Sequence, residues 1–432
     1  MNEQAARPGL DYRTWTRRYV LGILVLAYTV NFIDRQILSI LLESIKQDLG
    51  ISDQMLGLLS GFAFALFYAV MGIPIALWAD RGNRRDLISI ALALWSLMTA
   101  LCGMAQNFWQ LAAARVGVGI GEAGCTPPAF SLLSDYYAPG ERATAFAIYS
   151  LGIPIGLMFG LFVGGWINEA FGWRMAFFVV GLPGVLLALV VKLTVAEPAR
   201  GHIEKLDERA RKPLLKDTVK FLLNQPVFRH CAAAGSLSGF IAYAGMGWYP
   251  AFLIRSHAMG TAEIGLWLGL IMGGAGVIGL LLGGYLSDRL GARSTPWYLW
   301  SVAVGVLIAV PFSAFSFLVS DPYTAMLLFS VPLMISNAWL GPTVAQIQGI
   351  VELRMRAVSV AVLLFITNML GLGVGPWLIG TVSDALRSHF GADSLRWSLF
   401  MVGFFGLWAA WHYFRAGQLL EANLRSAATS KA

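Results

Sequence analysis

Charge is scarce in this sequence. Lys, Arg, Asp and Glu make up 13% of the 432 residues, where a soluble domain carries about 25%. That deficit argues against an ordinary soluble protein. Cysteine is scarcer still. Cys102, Cys125 and Cys231 are odd in number, lie in apolar runs and have no metal spacing. They read as small buried residues, and a disulfide framework is excluded. The five histidines, His202, His230, His257, His389 and His412, are scattered and mostly near the ends of apolar runs. No pair has metal-ligand spacing and no nucleophile–base set stands out, so neither an enzyme nor a metal or cofactor is expected. No cleavable signal is expected: the first residues are polar and basic, and the first apolar run is too long for a signal core.

What the sequence has is hydrophobicity, at 57% of its residues. Apolar runs of about 20 residues recur from end to end, each long enough to cross a bilayer as a helix. The alternation over about 10 residues that marks barrel strands is absent. The expected spans are 18–43, 54–79, 86–106, 108–136, 142–168, 174–195, 228–255, 262–287, 296–318, 323–351, 356–385 and 397–416. This is an all-α membrane protein with twelve transmembrane helices in two six-helix bundles. The net charge of +7 does not imply a nucleic-acid partner, because of how it is distributed. Arg7, Arg13, Arg17, Arg18, Arg81, Arg84, Arg85, Arg142, Arg289, Arg293, Arg354 and Arg356 all fall on one side of the expected spans. The other side holds only Lys46, Arg174, Arg255, Arg387 and Arg396. Cytoplasmic loops collect Lys and Arg, so both termini are expected in the cytoplasm, with the chain in the plasma (inner) membrane.

Three parts are expected: a bundle over 1–195, a basic cytoplasmic linker over 196–227, and a bundle with a short tail over 228–432. The linker holds Arg200, Lys205, Arg209, Arg211, Lys212, Lys216 and Lys220. Leu215, Val219, Leu222 and Leu223 share a helical face, so its end can lie along the membrane surface. Most of its charge follows the positive-inside rule; recognition of anionic lipid is the alternative. The halves repeat. Ala76-Leu-Trp-Ala-Asp80-Arg81-Gly-Asn83-Arg84-Arg85 follows span two, and Gly284-Tyr-Leu-Ser-Asp288-Arg289-Leu-Gly291-Ala-Arg293 follows span eight. Arg142-Ala-Thr-Ala-Phe-Ala147 and Arg356-Ala-Val-Ser-Val-Ala361 open spans five and eleven. Six-span repeats of this kind form transporters with the substrate site between the halves near midplane. A channel is the less favoured reading.

The repeated acidic–basic loops are candidate latches. An acid at the end of a span can meet a helix N-terminus or an arginine, hold two helices together in one state and release them in another. The candidates are Asp80, Arg81, Arg84 and Arg85 in the first copy and Asp288, Arg289 and Arg293 in the second. Asp135 and Arg142 are expected to form a further pair. The second copy fits Gly-x-x-x-Asp-Arg-x-Gly-x-Arg, and the sequence here resembles the major facilitator superfamily over essentially its whole length. The first copy departs, with Ala76 and Asn83 in place of the glycines; Asn tolerates a left-handed backbone, so the turn is expected to survive. Asp80-Arg-x-Asn83-Arg84, Asn31-Phe-Ile-Asp34-Arg35 and Arg115-Val-Gly-Val-Gly-Ile-Gly-Glu122-Ala resemble the spinster-like branch of lysolipid and sphingolipid transporters, most closely over residues 28–165.

A charge at the bilayer centre costs at least about 2.5–3.5 kcal/mol, so it is expected to be paired, in a cavity and functional. Asp34, Arg35, Arg115 and Glu122 are the obvious cases, all in the first half. Arg115 and Glu122 are two turns apart on one face of span four. Asp34 and Arg35 diverge by about 100° and cannot face one point. A static network locking helices together is the alternative reading. With both acids ionised the four charges cancel; protonating one leaves a positive site that favours an anionic or zwitterionic head group. Glu122 is the favoured proton carrier, because Asp34 has Arg35 beside it and should stay ionised longer. The spinster resemblance implies proton coupling at Glu122 and Asp34 and substrate binding at Arg35 and Arg115; Asn31 joins the substrate-binding set. The second half offers Tyr243, Trp248, Tyr249, Asn337, Trp339, Gln346 and Asn368, of which Tyr243, Trp339 and Asn368 complete the candidate site. Ordinary packing and interfacial belts also use such aromatics. The glycines of Gly152-Ile-Pro154-Ile-Gly156-Leu-Met-Phe-Gly160 predict close helix approach, and Pro127-Pro128 a kink below Glu122. The expected function is proton-coupled transport of an amphiphilic, anionic or zwitterionic substrate by a monomer among membrane lipids. A small organic anion or drug is the alternative cargo.

Overall fold

The computed structural model describes residues 14–198, 215–352 and 355–429. The expectations for Arg7, Arg13, Arg354 and linker residues 199–214 lie outside these. Ten helical stretches are long and apolar enough to cross a membrane. The last of them, Val358–Ala422, contains two spans. Span four escapes that criterion because it is broken into Phe108–Glu122 and Thr126–Tyr136. The architecture is therefore twelve spans, and none of the described residues forms a strand.

The helices run past the expected limits. Span one covers Thr14–Leu49 and the final helix continues to Thr429. Short polar loops start the others. Ser52, Asn83, Asn107 and Asp321 each accept a hydrogen bond from a backbone N–H three residues on, which satisfies an otherwise orphan donor. Asn83 thus serves as a helix cap with an extended backbone, φ −75° and ψ 117°, and not as the left-handed turn residue its position suggested.

Breaks fall in the interior spans. Pro127 and Pro128 occupy the first turn after the break in span four, where a missing backbone N–H costs least. Span two breaks at Gly61 between Asp53–Ser60 and Phe62–Arg81. Span ten breaks at Trp339 between Pro322–Ala338 and Leu340–Gly349. Span eleven passes through a π-helical turn, Met369–Val374, an element frequent at functional sites.

Small residues set the packing. Span five lies on span one so closely that a Cβ on Gly152, Gly156 or Gly160 would meet it at 3.0, 2.5 or 3.0 Å. One on Gly165 would lie 2.1 Å from the Thr261 carbonyl of span eight. Span two meets span eleven equally closely: a Cβ on Gly57, Gly61 or Gly380 would lie 2.4, 2.5 or 2.1 Å from a facing carbonyl. Without a hydrophobic driving force inside lipid, such backbone contact is what holds spans together. The outer surface is apolar, with Leu193, Leu327 and Leu281 well exposed.

The two halves are joined at one end. The hydrogen bonds and ion pairs between them lie where spans one, two, five, seven, eight and eleven reach residues 43–54, 165–169, 255–262 and 383–384. At the opposite end, which carries the basic loops, Thr126–Tyr136 and Pro139–Ser150 pack on their own half, and Leu340–Gly349 does likewise.

Candidate functional site

Span one brings three polar side chains to midspan. Asn31 and Asp34 are buried, and Arg35 is half-buried. Arg35 Nε donates to Glu122 Oε2 at 2.7 Å. Its guanidinium also lies over Phe32, Phe64 and Tyr68, with 5.0, 4.9 and 4.8 Å to the ring centroids. Three aromatic faces around one arginine supply cation–π attraction where water is excluded. Arg115 is buried, donates from Nη1 to the Asp34 carbonyl at 3.4 Å, and lies 5.4 Å from the Phe64 centroid.

The divergence of residues 34 and 35 around the helix has a consequence for charge. Arg35 turns to Glu122, so the cation adjacent to Asp34 in sequence serves the other acid. Asp34 instead lies toward Thr99 and Trp95 of span three. The Asp34 carboxylate forms no ion pair among the described residues and faces the neutral donors Thr99 and Trp95, while Ser96 Oγ and Arg115 Nε are buried nearby without a hydrogen bond. Native interiors leave few buried polar atoms unmatched.

The second half contributes unevenly. Tyr243 packs against the first-half cluster containing Tyr28, Phe64 and Val118, and so stands on the side facing Arg35. Asn368 is half-buried and immediately precedes the π-helical turn. Trp339 packs within the second half, against Gly235, and walls an apolar pocket between spans seven, nine, ten and twelve. Ile241, Val306, Phe329 and Val402 also line that pocket. Trp248 and Tyr249 are fully buried elsewhere. The Trp248 indole donates to the Pro376 carbonyl at 2.9 Å, and Tyr249 stacks on Phe329 with centroids 3.8 Å apart. Both are packing residues. Gln346 is buried, and Asn337 donates to the Leu333 carbonyl of its own helix.

The candidate latch residues divide by half. Arg84 is buried and gathers acceptors: Asp135, Glu197 at 2.7 Å, the Ser131 carbonyl at 3.0 Å and the Pro198 carbonyl at 3.1 Å. Asp135 is therefore paired with Arg84, not with Arg142 as its spacing suggested. Arg142 donates to the carbonyls of Ser134 and Tyr137. Arg85 pairs with Asp86 at 2.8 Å and Arg81 is exposed, while the Asp80 side chain lies outside the described residues. In the second copy Asp288, Arg289 and Arg293 are all exposed, and among the described residues Arg289 reaches the Tyr285 hydroxyl at 2.8 Å.

A second polar cluster closes the far end of the molecule. Asp53 accepts from Arg255 Nη1 and Nη2 at 2.7 and 2.8 Å, from Lys46 at 2.6 Å and from Ser383 at 2.8 Å. Glu43 accepts from Arg255 Nε at 2.6 Å. Asp384 caps the start of span two by accepting from the backbone N–H groups of Asp53 and Gln54 at 3.1 and 2.8 Å. Sequence reasoning met Lys46 and Arg255 only as exceptions to the charge asymmetry. The one available signal was Lys46 between Glu43 and Asp53; nothing in the sequence linked Arg255 to them.

Comparison with known proteins agrees with this architecture. The profile of the Major Facilitator Superfamily matches residues 24–376. The chain belongs to that superfamily. Among its superfamily relatives, an MFS-type efflux pump of Mycolicibacterium smegmatis is 36% identical over 394 residues, covering 90% of this chain and 89% of the pump. Human protein spinster homolog 1 is 28% identical, covering 95% of this chain and 83% of the relative. The crystal structure of a bacterial homolog of the human lysosomal transporter Spinster, inward-facing and unoccupied, superposes with a TM-score of 0.83. It is 34% identical, over 94% of this chain and 98% of the homolog. The superfamily fold and the spinster-like resemblance thus stand together, and the fold and relatives are those of membrane transporters, not enzymes.

Proposed function

We propose that the protein is a proton-coupled secondary transporter of an amphiphilic anion or zwitterion, working by alternating access. The observation that carries this reading is the Arg35–Glu122 pair at midspan beside Arg115 and a buried Asp34 carboxylate that forms no ion pair among the described residues. An anionic head group competes with Glu122 for Arg35 and takes the fork of Arg115 as well. A carboxylate that loses its cation in a dry site favours its neutral form, so substrate binding and proton uptake become linked. Asn31 and Tyr243 supply neutral hydrogen-bonding groups beside the arginines, with Asn368 across the site.

Alternating access needs two exclusive closures. Here the Asp53–Arg255 cluster seals one end and the exposed Asp288 loop leaves the other unlatched. By the positive-inside rule the basic, open end is cytoplasmic, as are both termini, in a plasma or inner membrane. The functional units are the bundles 1–195 and 228–432, joined by the basic linker 196–227, in a monomer. The efflux relative favours a second cargo, a small organic anion or drug, moved by the same machinery. Uptake into proteoliposomes of a lysolipid and organic-anion panel, with and without a pH gradient, tests both readings. Saturable uptake of a lysolipid accelerated by the gradient supports the first, and gradient-driven uptake of organic anions alone supports the second. Uptake of either class that ignores the gradient contradicts proton coupling.

A further inference from the structure

His230 and His412 are 182 residues apart in sequence, yet their Nδ1 atoms lie 2.9 Å apart between spans seven and twelve. The pair is half-buried on the outer surface of the second half, toward its basic end. Two indoles frame it. Trp411 packs edge-on against both rings, with centroids 5.7 and 4.7 Å away, and Trp408 lies 5.8 Å from His412. Both are about half exposed, at 54% and 53%. Exposed tryptophans on an apolar span belong at the membrane–water boundary. Arg229 precedes His230, and Arg415 follows His412 by three residues, on the same helical face. Both arginines are exposed, and neither forms an ion pair among the described residues; Arg415 reaches only the neutral Gln418 at 3.0 Å.

Two chemistries can use such a pair. Imidazole nitrogens this close can both ligate a small cation at about 2.0–2.1 Å. Two unpaired arginines disfavour a cation there, and no third ligand completes such a site among the described residues. The charges select an anion. The helix Leu215–Asn224, which leads into span seven, leaves Leu215 and Leu223 exposed beside the exposed Lys216 and Lys220. That is the pattern of a helix lying on a charged membrane surface. We propose that Arg229, His230, His412 and Arg415, framed by Trp408 and Trp411, bind the phosphate head group of an anionic membrane lipid. The arginine forks hold the phosphate oxygens. The neutral histidine pair spends one N–H on itself and retains one for the ligand. The indoles contact the glycerol and upper acyl chain.

The test is native mass spectrometry of the detergent-purified full chain, titrated with phosphatidylglycerol or phosphatidylcholine. Wild type should bind phosphatidylglycerol in preference to phosphatidylcholine. R229Q/R415Q should bind phosphatidylglycerol about thirtyfold more weakly, at two charges lost, with phosphatidylcholine unchanged. Should the double variant not fold, each single variant is read in the same titration, with about a fivefold loss expected. Equal phosphatidylglycerol binding by wild type and the arginine variants overturns the site. Displacement of the lipid by millimolar inorganic phosphate, or a preference for zinc over lipid at the histidine pair, overturns the lipid assignment.

Discussion

Asp34 and Arg35 are neighbours in sequence and part company in space. The 100° between successive helical residues sends Arg35 to Glu122 and Asp34 toward span three. The sequence reading paired the wrong acid with that arginine, because adjacency along a helix is not contact. Glu122→Gln should therefore destabilise the protein, since Arg35 then stays buried without an ionised partner, a loss of about 3–5 kcal/mol for a broken buried pair. Adding Arg35→Gln should restore most of that loss, measured as the midpoint of thermal unfolding in detergent. A Glu122→Gln protein as stable as wild type would show that the pair is loose. Arg115→Lys keeps the charge and loses the planar fork, so substrate affinity should fall about tenfold, within the range for a charge-assisted hydrogen bond. Unchanged affinity in both Arg115→Lys and Arg115→Ala would make the residue structural.

Between residue and molecule, the elements that matter are spans two and eleven. Gly57, Gly61 and Gly380 let their backbones touch, and Asp53 ties span two to span seven through Arg255. Asp53→Asn removes the charge that answers two cations, and should shift the population toward opening at this end by about a hundredfold, at about 3 kcal/mol. Cysteines placed at that end should become accessible to a polar thiol reagent; unchanged labelling contradicts the gate. The native cysteines are all buried and give little background. Conversely, Asp288 is exposed, and in the proposed cycle it latches the opposite closure. Asp288→Asn should leave the present conformation unaltered and slow its interconversion with the opposite one, read as slower transport with the same labelling pattern. These elements differ in how far the sequence reveals them. The acidic–basic loops repeat in both halves and were legible as a repeat. The Asp53 cluster draws on residues 43, 46, 53, 255 and 384, which no period or motif links. The breaks at Gly61 and Trp339 and the π-turn of span eleven were also hidden, because glycine inside an apolar span reads equally well as close packing.

At the scale of the whole molecule the fold was legible, because spans of about 20 apolar residues and the asymmetry of basic loops act everywhere along the chain. The charged residues of the candidate site were legible for the opposite reason: a charge within a span is an exception that must be compensated. Their pairing was not, since it depends on how helices from separate parts of the sequence are rotated against one another. What the molecule presents is two halves joined at the Asp53 end and packed on their own helices at the basic end, with buried Asp34, Arg115 and Glu122 and half-buried Arg35 at midspan of the first half. The central claim is that these charges couple substrate movement to protons. The most direct test is uptake by purified protein in proteoliposomes, with and without an imposed pH gradient, comparing wild type with Glu122→Gln, whose amide cannot take up a proton when substrate displaces it from Arg35. The account predicts that the gradient accelerates the wild type and that Glu122→Gln still exchanges substrate but no longer responds to the gradient. A variant that follows the gradient as wild type does, or a wild type indifferent to it, would contradict the account.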